Sequence, residues 1–369
     1  MTSDARRTAA VRTAAVLTTA LAVTALASMA VPAAGAASAA GPSRRTAKLD
    51  VGGARLADRG IIVNYPSKHS RRLPRVPASA YVIADASTGQ VLAAKDPHGL
   101  FPPASTLKLL TAITMIPRLN PDATVVATRL AASVQPNVVG LIPGRKYKVA
   151  DLFRALLLIS ANDAAVSLVQ ASGSFAKGIA LMNAQAHRLQ AYDVVAKQPN
   201  GLPAAGQVVS AYDLALIARQ ALSIPAFMAY DSTLAARFPV THRKRVTLVN
   251  QNYLLTQYRG GIGGKIGWTV RAEATYVGMA RRHGVTLIVT LLHCTPLTEI
   301  HSAEHLLNWG FAMVGHVRPV GALVSPLATT AGRASHARTG TAQRGTAAVG
   351  ATQGSGMHGA GNADRKSVV

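Results

Sequence analysis

The chain has 369 residues, enough for one large domain or two ordinary ones with tails. Its 39 basic residues against 15 acidic ones give a net charge of +24, which first suggests nucleic acid. The basic clusters at 43–45, 71–75, 243–245 and 281–282 lack the interleaved aromatics of a base-stacking platform, so we set nucleic acid aside.

Arg6, Arg7 and Arg12 precede an apolar run from Ala14 to Ala30. Ala34-Gly35-Ala36 or Ala37-Ser38-Ala39 would suit a signal peptidase, so residues 1–40 read as a cleaved secretion signal. A retained anchor is the alternative, although the run barely reaches spanning length. Cys294 is the single cysteine and excludes an intramolecular disulfide, so an exported fold must rest on its hydrophobic core. An exported basic chain is expected to meet anionic wall polymers or lipid head groups peripherally, or to carry a solvated basic surface with no specific partner. Residues 41–77 read as a polar, basic linker, and 329–369 as a disordered Gly/Ala/Ser/Thr tail that cannot bury a core. The folded part is then 78–328.

That part opens with "AYVIADASTGQVLAAKD", two β-rich runs around Ser87-Thr88-Gly89 that predict a hairpin. "PPASTLKLLTAI" follows. Pro102 and Pro103 cannot continue a helix, Ser105 or Thr106 is a natural N-cap, and Leu107, Leu110, Ile113 and Ile116 recur at helical spacing. A capping box would place Glu or Gln three residues after the serine. Lys108 stands there instead, where a cation opposes the helix dipole, and such a break of a local rule marks a functional or strained site. Ser105 and Lys108 share one helix face, and a lysine can act as a base only if burial or nearby positive charge lowers its pKa. An N-cap followed by a snorkelling lysine gives the same pattern.

Helical patterns then dominate, at 151–159, 163–172, 175–190 and 211–222. "LLLISANDAAVSLV" breaks at Ser160-Ala161-Asn162, with Asp163 able to cap the next helix. A turn there would present Ser160 and Asn162 to a cavity, and an ordinary helix junction reads identically. In "GGIGGKIGWTVRAEATYVGMA", glycines 260, 261, 263, 264 and 267 surround Lys265. They permit close backbone approach, so the lysine could receive an anion or hold an added peptide strand. "ATYVGMA" and "VTLIVTLL" flank a second hairpin turn at Arg281–Gly284, and an amphipathic helix follows at 298–309. Strands at both ends with helices between suggest one sheet with a helical insertion.

Taken in order, Ser105-x-x-Lys108, Ser160-x-Asn162 and Lys265-Ile266-Gly267 resemble the S-x-x-K, serine–x–asparagine and K-T-G elements of penicillin-binding proteins and class A β-lactamases. Over about 78–311, with "PNGL" at 199–202, "YDLALIAR" at 212–219 and "NWGF" at 308–311, the chain resembles the low-molecular-mass D-alanyl-D-alanine carboxypeptidases, serine peptidase family S11, in their actinobacterial form. The resemblance implies an α/β (α+β) DD-peptidase/β-lactamase-like fold: an antiparallel sheet from both chain ends, flanked by helices, with an inserted all-helical region. It implies Ser105 as acylated nucleophile, Lys108 as its base, and Ser160 and Asn162 as proton relay and substrate holder. Lys265, Ile266, Gly267, Trp268 and Thr269 would bind substrate, with the backbone N–H groups of Ser105 and Trp268 forming the oxyanion hole. The implied partners are peptidoglycan stem peptides and β-lactams, with no cofactor and no metal.

Two departures stand out. Ile266 replaces the family's threonine, and Glu299 stands where the family often has a carboxylate-binding arginine, leaving Lys265, Arg271 or a nearby histidine to compensate. A class A β-lactamase would need a deacylating glutamate, and none lies between Asn162 and Lys265. His301-Ser302-Ala303-Glu304-His305 matches H-x-x-E-H, but a zinc peptidase needs a third protein ligand. A non-catalytic wall-binding homologue and a D,D-endopeptidase remain as alternative readings.

Overall fold

The computed structural model describes residues 51–328 apart from 68, 69 and 242, so the expected secretion signal and tail lie outside the described residues. The strands in chain order are β1 (Ile61–Val63), β2 (Ala78–Asp85), β3 (Gln90–Lys95), β4 (Thr124–Val126), β5 (Lys146–Lys148), β6 (Ala235–Pro239), β7 (Arg245–Val249), β8 (Gly261–Thr269), β9 (Glu273–Arg282), β10 (Val285–Cys294) and β11 (Gly321–Ala322). The helices are α1 (Lys108–Met115), α2 (Arg129–Ala132), α3 (Val149–Leu158), α4 (Asn162–Ala171), α5 (Phe175–Arg188), α6 (Ala211–Leu222), α7 (Pro225–Asp231), α8 (Leu254–Gln257) and α9 (Glu299–Met313).

The main sheet is antiparallel, in the order β1-β3-β2-β10-β9-β8, with β11 pairing β3 beside β1. Both expected hairpins form. His283 and Gly284 turn β9 into β10 at φ 48° and 79°, positive values that a tight two-residue turn demands, and the four-residue turn from β2 into β3 closes on Gly89 at φ 79°. The β2–β10 ladder, with Val82 opposite Thr290, then ties the two chain ends together. Alternation gives the sheet two apolar faces. Val82, Ala84, Ile288 and Leu292 face the inserted helices, while Tyr81, Ile83, Leu287 and Val289 pack beneath Leu306, Leu307 and Trp309 of α9. The expected fold is therefore present.

The expected boundary at residue 78 is corrected. Residues 61–63, read as linker, form β1 on the sheet edge, with Ile61 opposite Lys95. The helix after Pro103 is also built differently. Ala104–Leu107 forms a 3-10 turn, α1 begins at Lys108, and neither Ser105 nor Thr106 caps it through its side chain. Among the described residues no single helix is long and apolar enough to cross a membrane.

Candidate active site

The 3-10 turn aims Ser105. Ser105 lies in the first turn, where helical geometry gives its N–H no acceptor. Ala104 holds φ 46°, a strained value for a residue with a side chain. Two hydroxyls restrain the turn: those of Thr106 and Thr275 donate to the Pro103 carbonyl at 2.6 and 2.8 Å. Thr275 lies on β9, so the sheet itself positions the serine.

Lys108 is fully buried, and its Nζ reaches Ser105 Oγ at 2.7 Å, Asn162 Oδ1 at 2.8 Å and the Asn200 carbonyl at 2.7 Å. The two carbonyl oxygens can only accept. A neutral amine satisfies both with its two N–H groups and turns its lone pair to the Ser105 hydroxyl. Burial, then the neighbouring Lys265 charge, push the Lys108 pKa well below the ordinary lysine range, while Asp163 opposes them. Burial and hydrogen bonding thus produce a base aligned on a hydroxyl.

The break between α3 and α4 does form a turn. Ser160 stands at φ 62°, and its buried Oγ has no hydrogen-bond partner. Asn162 donates from Nδ2 to the Gln135 carbonyl at 3.0 Å, fixing its Oδ1 towards Lys108. The N-cap position falls at Ala161 rather than Asp163. The Asp163 carboxylate accepts one first-turn N–H, that of Ala164 at 2.9 Å, and also those of Val139, Gly140 and Leu141 at 2.9–3.0 Å, holding the loop that follows Asn137.

β8 is the opposite sheet edge and closes the site. A Cβ on Gly267 would sit 2.7 Å from Ser105 N, so only glycine lets the strand backbone lie against Ser105. Ser105, Ser160, Asn162, Ile266, Gly267, Trp268 and Thr269 meet around a cavity of about 210 Å³. Trp268 is 57% exposed at its rim. Lys265 is the exception among the expected residues. It is 2% exposed, and its Nζ donates to the Ile266 carbonyl at 2.6 Å. Burial lowers its pKa to about 7 and raises that of nearby Asp231 to about 7.

Residues 67–295 match the profile of the family described as D-alanyl-D-alanine carboxypeptidase, peptidase S11. The chain belongs to that family. It is 38% identical to D-alanyl-D-alanine carboxypeptidase DacB2 of Mycobacterium tuberculosis over 247 residues, 65% of this chain and 84% of that one. Against the longer DacF of Bacillus subtilis it is 26% identical and spans 62% of the relative's length. A crystal structure of the D-alanyl-D-alanine carboxypeptidase from M. tuberculosis H37Rv aligns with TM-score 0.67 and 36% identity, covering 71% of this chain and 99% of that one. A mutant of the Streptomyces K15 DD-transpeptidase aligns with TM-score 0.62 and 28% identity, covering 65% and 99%.

As an S11 serine peptidase, the chain has two departures that now acquire positions. Ile266 lines the cleft and also packs against the α9 side of the core. Glu299 is buried at the start of α9 with Oε2 unpartnered, and it lines neither this cavity nor the one beside it. His301 and His305 do share a helix face, with their Nε2 atoms 2.8 Å apart and Glu304 at 3.4 Å from His301 Nδ1, away from both cavities. Sequence reasoning missed the Asn200 carbonyl, Thr275 and Gln251, the last on the cleft wall. "PNGL" pointed to the first only through the family resemblance.

Proposed function

We propose that the protein removes the terminal D-alanine from peptidoglycan stem peptides through an acyl-enzyme on Ser105. The observation that carries this reading is the buried Lys108 amine, held by two carbonyl acceptors and directed at the Ser105 hydroxyl. Ser105 Oγ attacks the carbonyl carbon of the penultimate D-alanine as its proton passes to Lys108 Nζ. The oxyanion is received by the N–H groups of Ser105 and Trp268, donors fixed before the charge develops. Collapse of the intermediate breaks the C–N bond, and the D-alanine amine leaves with the proton, relayed from Lys108 through the free Ser160 hydroxyl. Water then hydrolyses the ester. Among the described residues no acidic side chain lines the cleft, so a penicillin acyl group is expected to persist rather than turn over rapidly.

The reaction takes place outside the cytoplasm on this reading, with residues 1–40 as the export signal and the basic surface free to meet anionic polymers. Mass spectrometry of penicillin-treated protein tests it. Covalent adduct on Ser105 is expected; an unmodified chain would leave a non-catalytic binder.

Removing a cation that faces Lys108 must raise the Lys108 pKa. Lys265→Met is therefore expected to move the acid limb of the pH–acylation profile to higher pH, whatever it does to the rate. An unmoved limb would detach Lys265 from the base. Ile266→Thr adds a hydroxyl at the cleft wall, where a hydrogen bond is worth about 0.5–3 kcal/mol depending on substrate charge. A rise in kcat/KM of about 2- to 100-fold on a D-Ala-D-Ala peptide is expected. Unchanged or slower release by a folded variant would show that Ile266 serves an apolar contact.

A further inference from the structure

Beside the cleft lies a second cavity of about 270 Å³ that the reaction above does not use. The two share Gly201 and Thr269 in their walls, so they follow one another along the open edge of β8. Phe101 and Pro103 wall it from the approach to the nucleophile turn, Gln207 from the loop beyond Asn200, Arg271 from the turn between β8 and β9, and His293 from β10.

Its charges are simply counted. The His293 Nδ1 sits 3.7 Å from the Glu273 carboxylate and its ring stacks on Phe101 at 6.0 Å, so any positive charge on it is already answered. Arg271 is exposed and has no hydrogen bond or ion pair among the described residues. Among the described residues no acidic side chain lines the cavity. One unanswered guanidinium remains, a planar fork that fits a carboxylate. Meanwhile the groups expected to hold a substrate anion are engaged or unsuitable: Lys265 is buried on a backbone carbonyl, Ile266 has no hydroxyl, and Glu299 is buried with the wrong sign.

The geometry points to Arg271 as the carboxylate receptor of a substrate subsite continuous with the Ser105 cleft. This rests on the carboxypeptidase reading and names what the site selects. Arg271 follows Trp268 by three residues, at most about 10 Å of extended chain, or two to three residues of a strand laid beside it. A terminal carboxylate lies only one residue from the bond that is cut. A carboxylate side chain on the residue before the two D-alanines lies farther off and fits that span better. Both sources share one chemistry, a carboxylate on the stem peptide.

Three peptides separate them: α-aminoadipyl-D-Ala-D-Ala, norleucyl-D-Ala-D-Ala, and the second with its C-terminus amidated. Calorimetry on Ser105→Ala protein reads affinity without turnover. The aminoadipyl peptide is expected to bind about 5- to 30-fold more tightly than the norleucyl one, the range of a charge-assisted bond discounted for exposure. Arg271→Gln in the same background should erase that difference, and Arg271→Lys should restore part of it. In the active enzyme the loss should appear in KM rather than kcat. If Arg271→Gln instead erases only the preference for a free over an amidated terminus, Arg271 receives the terminal carboxylate, and the receptor role stands with that source. If Arg271→Gln binds all three peptides as its parent does, the proposal is overturned. Failure of the unaltered enzyme to form a penicillin adduct would sink the carboxypeptidase reading separately, because the binding comparison does not depend on acylation.

Discussion

Lys108→Ala is expected to slow penicillin acylation by at least about 1,000-fold while the chain stays folded, near the middle of the range for loss of a positioned general base. The serine loses the one nitrogen base within hydrogen-bond reach of Oγ among the described residues. Stability should respond in the opposite sense. A lysine whose folded pKa lies well below its unfolded value resists a proton that the unfolded chain accepts. Between those two pKa values the unfolded state binds more protons, so this residue makes the folded state less stable as pH falls, and the effect levels off below the folded pKa. The alanine variant loses that penalty but leaves the Asn162 and Asn200 oxygens without their shared donor. Its thermal midpoint relative to the parent should therefore improve as pH is lowered from 10 towards the folded pKa. Stopped-flow acylation with a fluorescent penicillin, alongside melting curves across pH, checks both parts. Acylation within tenfold of the parent would remove Lys108 from the mechanism.

What the sequence disclosed depended on where the chemistry resides. On the proposed mechanism Ser105, Lys108, Ser160, Asn162 and Gly267 act through groups that their own residue type supplies, at spacings short enough to read along the chain. The two hairpins were legible because turn residues and β-rich runs are local. Residues 61–63 were not, because a three-residue strand between Gly60 and Tyr65 has no period to display, and its pairing with β3 is a long-range choice. Asn200 contributes a backbone carbonyl, which any residue type carries, and Thr275 is one threonine among many until β9 folds under the turn that holds Ser105. Lys265 reads along the chain as open to an anion, yet it is buried with its Nζ on the Ile266 carbonyl. Its burial beside Asp231 comes from α7, which lies more than thirty residues upstream of it.

Asp163 shows the same limit most sharply, and its removal should be the most damaging change to stability among those considered. Next to a helix start it read as a cap, since capping needs only the adjacent backbone. Instead its carboxylate gathers N–H groups from Val139, Gly140 and Leu141 as well as Ala164, all at 2.9–3.0 Å and with the side chain 1% exposed. The loop so held carries Asn137, whose carbonyl accepts from Asn162 N at 2.7 Å, so one carboxylate stabilises both the loop and the asparagine that faces Lys108. Asp163→Ala takes the acceptor from all four N–H groups, three of them on the buried Val139, Leu141 and Ala164, and at about 1–3 kcal/mol for each buried donor left unsatisfied the loss is about 3–5 kcal/mol, which for a domain of this size lowers the melting temperature by roughly 10 °C. Asp163→Asn should fare no better, because its amide would turn N–H towards the N–H of Gly140 and Leu141. In whichever variant remains folded, a negative charge that favours the Lys108 ammonium is gone. The acid limb of acylation should then move to lower pH, opposite to the shift from Lys265→Met. Melting within 2 °C of the parent would show that the loop is held by other means, and limbs moving the same way in both variants would show that charge does not set the Lys108 base.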